Sequence, residues 1–301
     1  MIKQLLLPLC LLILMTGCAA KVSSRWDSVI SEQKDVALSV PFYAQKDYYC
    51  GPASLAMMLE QSGIKADPDE LAKKVFTPSK KGSFKEDMLT GARRSGRIPY
   101  PVTSPSDLYA SLREGKPVLV FMNLGLDFYP VWHYAVVTGI GDGYLILHSG
   151  VTPNEKFKTA TFDRVWARGD YWGFILLRPG EILNDADPVK LADAAFAYSL
   201  TDAEGAIKTL KEASEVFDSK PLMFAYGSVL YSADKKTEAI GVFRTITEKY
   251  PDDGDGWNNL AHILNETGLK KLAVYAAEKA VSIGGKNLSV YEETLKSVQT
   301  P

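Results

Sequence analysis

Residues 40–54 read Val40-Pro41-Phe42-Tyr43-Ala44-Gln45-Lys46-Asp47-Tyr48-Tyr49-Cys50-Gly51-Pro52-Ala53-Ser54, and this stretch decides the fold. An extended run leads into Cys50. A helix starts at once after it, over 51–63, apolar-rich and closed by Gly63 at a C′-like position. Pro52 suits the first helical turn, where a missing N–H costs nothing. The spacing therefore puts a cysteine at a helix N-terminus, where free backbone N–H groups and the positive end of the helix dipole favour thiolate, the nucleophilic form. Gln45, five residues earlier, can bring a side-chain amide near the thiol. An amide N–H placed there stabilises the oxyanion of an acyl-transfer intermediate.

Downstream of this segment, helix signals come first. Asp67-Pro68-Asp69-Glu70 combines an N-cap, a proline at the first helical position and a capping-box glutamate. Ser83 with Glu86 repeats the device, and Ser104-Pro105-Ser106-Asp107 opens a further helix closed by Gly115. Strand signals follow at 117–123, 132–140, 144–147 and 171–177, with Gly141-Asp142-Gly143 as a tight hairpin turn. Helices followed by antiparallel strands predict an α+β domain over 36–180.

Beyond Pro179 the strand pattern stops, and the chain becomes Ala-rich with a helical period. Met223, Tyr226, Gly227, Leu230, Ala239, Phe243, Ile246 and Pro251 align with Trp257, Leu260, Ala261, Leu264, Ala273, Ala277, Ala280 and Gly285 when the chain is shifted by 34. A degenerate earlier unit starts near Asp187, and 288–298 reads as a closing helix. The pattern resembles tetratricopeptide repeats, whose period is 34. It assigns 187–301 to an all-α solenoid of the kind that holds a protein or peptide partner in a concave groove.

Composition narrows the function classes. The 301 residues carry 34 Lys+Arg against 36 Asp+Glu, a formal charge of −2, which gives no footprint for a nucleic-acid partner. A hydrophobic content of 46% sets the chain apart from disordered sequences. Three cysteines are too few for a disulfide-built fold, and three scattered histidines leave no metal cluster. The Gly141-x-Gly143 turn lacks the third glycine and the strand-to-helix context of a dinucleotide site. No cofactor is expected.

Two of the cysteines belong to export. Lys3 followed by an apolar run over 5–15 is a signal peptide, too short for a bilayer span that needs about 20 residues. Its end, Met15-Thr16-Gly17-Cys18, resembles a bacterial lipobox. That resemblance implies removal of 1–17, a lipid on Cys18, a tether over 18–35 and residence in the cell envelope. Ala19, in place of an inner-membrane-retaining Asp, points to the periplasmic face of the outer membrane. Cys10 leaves with the signal peptide, so Cys50 is the one thiol of the mature chain.

A nucleophilic thiol needs a base. His262 falls within the repeats and reads as a surface or packing residue. His133 opens the apolar strand Trp132-His133-Tyr134-Ala135-Val136-Val137, where an imidazole is costly without a partner. The turn at 141–143 places His133 and His148 at the same end of a hairpin, which makes His148 a candidate second polar group in the cleft.

The combination Gln-x4-Cys-Gly-Pro-Ala-Ser, followed by Trp-His-Tyr-Ala-Val-Val and a glycine-rich turn, resembles the papain-like peptidases of the bacteriocin-processing, double-glycine-leader type, over about residues 36–180. The resemblance implies a papain-like cysteine peptidase domain. In it Cys50 is the nucleophile, His133 the general base and then acid, and Gln45 the oxyanion donor. In that family an Asp-Pro pair orients the imidazole. Here the slot about 16 residues after His133 holds Ser149, and no carboxylate appears until Glu155. The orienting role falls to Ser149, to Asn154 or to no group. Three readings follow. The first is a lipid-anchored cysteine peptidase whose repeats recruit a protein or peptide. The second is a weakly active or inactive peptide-binding scaffold. The third is a hydrolase of peptidoglycan cross-links using the same Cys-His chemistry.

Overall fold

The computed structural model describes residues 25, 26, 29 and 34–300. The signal peptide, Cys18 and most of the 18–35 tether lie outside the described residues. The chain divides into two compact units, 1–95 with 101–176 and 96–100 with 177–301.

The first unit begins with β1 (Val36–Ala37) and α1 (Cys50–Gln61), followed by α2 (Pro68–Val75) and α3 (Lys85–Arg94). After β2 (Ile98–Val102), most of which belongs to the second unit, come α4 (Pro105–Arg113), β3 (Val118–Asn123), β4 (Trp132–Gly141), β5 (Tyr144–Ser149), β6 (Thr152–Lys158), α5 (Thr159–Ala167) and β7 (Gly173–Leu177). Strands β7-β3-β4-β5-β6 neighbour one another in that order, and β1 adds to β4. The pairings β3–β4, β4–β5, β5–β6 and β3–β7 are all antiparallel. Helix α1 lies on β3 and β4. Its Leu55, Ala56, Met57 and Leu59 are buried with Leu119, Tyr134, Val136 and Phe174 of the sheet. Each such large apolar side chain contributes about 1.5–3 kcal/mol on burial, so the helix that begins at Cys50 is held firmly against the strand that begins with Trp132-His133.

The helix starts at Asp67 and Ser104 form as the sequence implies. The Asp67 side chain accepts the Asp69 and Glu70 N–H groups, and Ser104 accepts that of Asp107. The start at Ser83 does not. Helix α3 opens at Lys85 with Phe84 at the cap position and no side-chain cap, while the Ser83 hydroxyl is buried without a partner. Two elements carried no clear sequence signal. Strand β6 is largely exposed on both faces, so no apolar alternation marks it, and its lysines and Pro153 are typical of a protected edge. Helix α5 buries Phe162, Val165 and Trp166 at helical spacing, in a segment short enough to be passed over as a loop.

In the second unit the described residues form α6 (Pro188–Ser199), α7 (Ala203–Val216), α8 (Lys220–Ser232), α9 (Lys236–Lys249), α10 (Gly254–Glu266), α11 (Lys270–Ile283) and α12 (Leu288–Gln299). Successive helices pack as pairs, α6 on α7, α8 on α9 and α10 on α11, with α12 against α11. Starts recur 34 positions apart, Lys220 to Gly254 and Lys236 to Lys270, so the region is a stack of helical repeats. Small residues stand where paired helices touch. A Cβ on Gly227 would come within 2.7 Å of the Phe243 ring, and Ala239, Ala273, Ala277 and Ala280 are fully buried. Asp187, Asp202 and Asp253 cap α6, α7 and α10. His262 stays on the surface, with its Nε2 3.0 Å from the Tyr231 hydroxyl.

Candidate active site

Cys50 is the first residue of α1, and a tight turn delivers it there. Tyr49 N–H donates to the Lys46 carbonyl at 3.0 Å, and Tyr48 adopts a left-handed φ of 65°. A bulky residue in that region is strained, and such strain persists where the surroundings over-determine it. No side chain caps α1. The thiol takes that place: backbone N–H groups of Tyr134, Gly51 and Cys50 itself approach the sulfur and draw its pKa down. Burial acts more strongly in the opposite direction and holds the thiol above its ordinary value. The sequence-based expectation of a resting thiolate is thus reversed by desolvation, which penalises the anion more than the helix start favours it. The Tyr134 N–H on the sulfur also fixes position, because it sets Cys50 against β4 immediately beside His133.

His133 pairs in register with Met122 of β3, and its pKa is lowered by burial alone. Its Nε2 lies 3.1 Å from Ser149 Oγ. Strand geometry explains why Ser149, rather than His148, meets it. Val136 lies opposite His148, so the same register carried one step on brings Ser149 to the face shared by Ala135 and His133. His148 faces the other way. It is 2% exposed, its Nε2 donates to the Val40 carbonyl at 3.0 Å, and its Nδ1 accepts the Asn154 N–H at 3.2 Å. It is a fully partnered structural histidine, not a cleft residue. Asn154 likewise holds His148 and does not meet His133.

The same lacing positions Gln45. Leu38 N–H donates to the Thr138 carbonyl, His148 holds Val40, and Gln45 N–H donates to the Gly150 carbonyl at 3.0 Å. Residues 38–45 thus run beside the end of β5 that carries Ser149. The Gln45 side-chain Nε2 is buried and has no partner. A buried amide nitrogen without an acceptor costs about 1–3 kcal/mol. Cys50 and His133 share no hydrogen bond in this arrangement; the thiol meets β4 through the Tyr134 N–H, one residue along the strand from His133.

The thiol opens into a cleft of about 430 Å³ lined by Cys50, the 80–86 loop, Phe121, Trp132 and Tyr134. Phe121 and Trp132 stack with ring centroids 4.9 Å apart, and the Tyr134 hydroxyl donates to the Ser83 carbonyl. These wall residues were not singled out in the sequence. Only the third dimension brings the 80–86 loop to β3 and β4. Among the described residues, no group of three or more His, Cys, Asp or Glu could hold a metal ion. No described helix is long and apolar enough to cross a membrane.

The first part of the chain is similar to known proteins. Residues 37–171 match the model of the Peptidase C39-like family. No curated protein matches the chain in sequence. Among solved structures, the chain is similar to a C39-like peptidase from Bacillus anthracis, at 19% identity and a TM-score of 0.43, covering 48% of this chain and 98% of that one. It is also similar to a double glycine motif protease from an AMS/PCAT transporter, solved with its leader peptide, at 20% identity, TM-score 0.38, and 48% and 98% coverage. The peptidase domain of Streptococcus ComA, a bi-functional ABC transporter involved in quorum sensing, gives the same figures. Residues 37–171 are thus similar to the Peptidase C39-like family, and helical repeats follow them in this chain.

Proposed function

We propose that the chain is a lipid-anchored cell-envelope cysteine peptidase. One observation supports it most: the thiol of Cys50 lies against the Tyr134 N–H, the strand residue next to His133, and the His133 Nε2 meets Ser149. With Nε2–H given to Ser149 Oγ, His133 keeps Nδ1 as its basic nitrogen. The Cys50 sulfur attacks the scissile carbonyl carbon while His133 Nδ1 takes the thiol proton. The carbonyl oxygen becomes an oxyanion that receives N–H groups from Gln45 and the Cys50 backbone. Collapse expels the amine, which takes the proton from His133 and leaves an S-acyl enzyme. His133 then activates a water, and hydrolysis returns the acid product and the thiol. Because both groups rest neutral, this is general-base activation during attack, not a preformed ion pair.

The helical repeats are proposed to recruit a protein or peptide partner, and the lipid on Cys18 to retain the protein at the membrane. Full-length protein and its Cys50→Ala variant are compared on casein and on an internally quenched peptide library, with purified peptidoglycan assayed for released cross-link fragments. Loss of peptide cleavage in the variant is the expected result. Release of wall fragments without peptide cleavage would move the substrate to peptidoglycan. Cys18→Ala should shift the protein from the detergent phase to the aqueous phase. The second reading, a peptide-binding scaffold, draws on the neutral Ser149 behind His133 and the raised thiol pKa. Binding of a peptide without turnover by the wild type would establish it.

A further inference from the structure

The cleft beside Cys50 carries charge that the reaction itself does not use. Its outer wall is the 80–86 loop, a closed turn rather than a slack one. Thr77 N–H donates to the Gly82 carbonyl at 2.7 Å, Lys80 N–H to the Thr77 carbonyl at 3.0 Å, and Lys81 N–H to the Pro78 carbonyl at 3.1 Å. Three lysines on this wall, Lys80, Lys81 and Lys85, stand against one carboxylate, Glu86. They are not equivalent. Lys85 is already engaged, with Nζ 3.7 Å from Asp170 Oδ2 and 5.1 Å from the Phe121 ring centroid. Lys81 lies 5.3 Å from the Tyr48 ring centroid. Lys80 and Lys81 are exposed and have no carboxylate partner among the described residues. With Lys85 offset by Asp170, two exposed ammonium groups remain against Glu86 among the residues that line the cleft, while Asp87 behind them accepts from the Thr77 hydroxyl, so the outer rim is cationic. The rest of the lining includes the aromatic rings of Phe121 and Trp132. Low-dielectric walls strengthen the interaction of a bound charge with the rim, because less water intervenes.

Resting on the peptidase reading of this same cleft, we propose that it selects peptides carrying carboxylate side chains next to the bond held at Cys50, with Lys80 and Lys81 as the specificity-determining residues. A basic peptide is disfavoured by the same two charges. Selection by charge is a property of binding and does not require turnover, so it can be read separately from catalysis.

The test uses full-length Cys50→Ala protein, which cannot acylate, and three fluorescein-labelled peptide pools of equal length. The pools share their apolar positions and carry Glu, Gln or Lys at every polar one. Fluorescence polarisation should rank binding Glu over Gln over Lys, with roughly tenfold between the extremes for two partly screened ion pairs. Added salt should narrow the gap. Lys80→Glu combined with Lys81→Glu should invert the ranking, and Lys80→Glu alone should halve the gap or more, each at an unchanged circular dichroism spectrum. Equal binding of the three pools within twofold, or a ranking that the double substitution leaves in place, overturns the proposal. Neither result bears on whether wild-type protein hydrolyses peptides, which the Cys50→Ala comparison decides.

Discussion

Ser149→Ala removes the hydroxyl that meets the Nε2 of His133. The bond is 3.1 Å long, and Ser149 is 8% exposed, so water does not readily replace the lost hydroxyl. A neutral hydrogen bond of this kind is worth about 0.5–1.5 kcal/mol net, and a buried N–H left without an acceptor costs about 1–3 kcal/mol. That energy now favours ring flips and the other tautomer, both of which remove the basic nitrogen from the thiol side. A loss of about 1–3 kcal/mol in the transition state is roughly 5- to 150-fold in kcat. Ser149 does not line the cleft, so KM should stay within about twofold. Ser149→Thr keeps the Oγ and should recover most of the rate. The assay is steady-state cleavage of a quenched peptide by each full-length variant, with thermal melting to verify folding. A folded Ser149→Ala enzyme with wild-type kcat would refute the assignment of Ser149 as the positioning residue. So would a defect confined to KM.

Further outcomes follow from the same geometry. Burial lowers the His133 pKa and raises that of Cys50, so both groups stay neutral between their ordinary values of about 6.5 and 8.5. kcat/KM should be flat across that interval and fall only below it, as His133 gains a proton. Iodoacetamide alkylation of Cys50 should accelerate only above the ordinary thiol range, whereas fast alkylation at pH 5–6 would reveal a thiolate–imidazolium pair. Gln45→Ala removes the buried, partnerless amide and should cut kcat by about 10²–10³ with little change in KM, the scale of a lost oxyanion donor. If kcat stays within threefold, Gln45 is a structural residue. Gly51→Ala places a Cβ 2.6 Å from Ser83 Oγ and 3.1 Å from Met88 Sδ. It should lower stability by about 1–3 kcal/mol, visible in the urea midpoint, because neither wall can retreat without moving the loop that lines the cleft.

Much of the site could be read in one dimension because its parts are local. Gln45 and Cys50 lie within one turn-and-helix segment, and the helix after Cys50 follows from Gly51-Pro52 and an apolar run. His133 stood out as an imidazole in an apolar strand. The repeat spacing of 34 was visible as aligned small residues, since pairs of helices need small side chains at each contact. Three features could not be read so. The 16-residue offset admitted Ser149, Asn154 or no partner, and the β4–β5 register puts Ser149 on the face of His133 and His148 on the other. The protonation of the thiol depended on burial, which no motif states, and burial outweighed the helix start. The cleft wall joins a loop at 80–86 to strands some 40 residues later, and no sequence rule links lysines there to aromatic residues in β3 and β4. Residue types in their local settings marked Cys50, Gln45 and His133 as candidates, since nucleophile, donor and base each call for a distinctive residue type. The tertiary structure alone decided how they are oriented, how strongly they hold their protons and what charge surrounds them, because register, desolvation and long-range packing exist only once the sheet has formed.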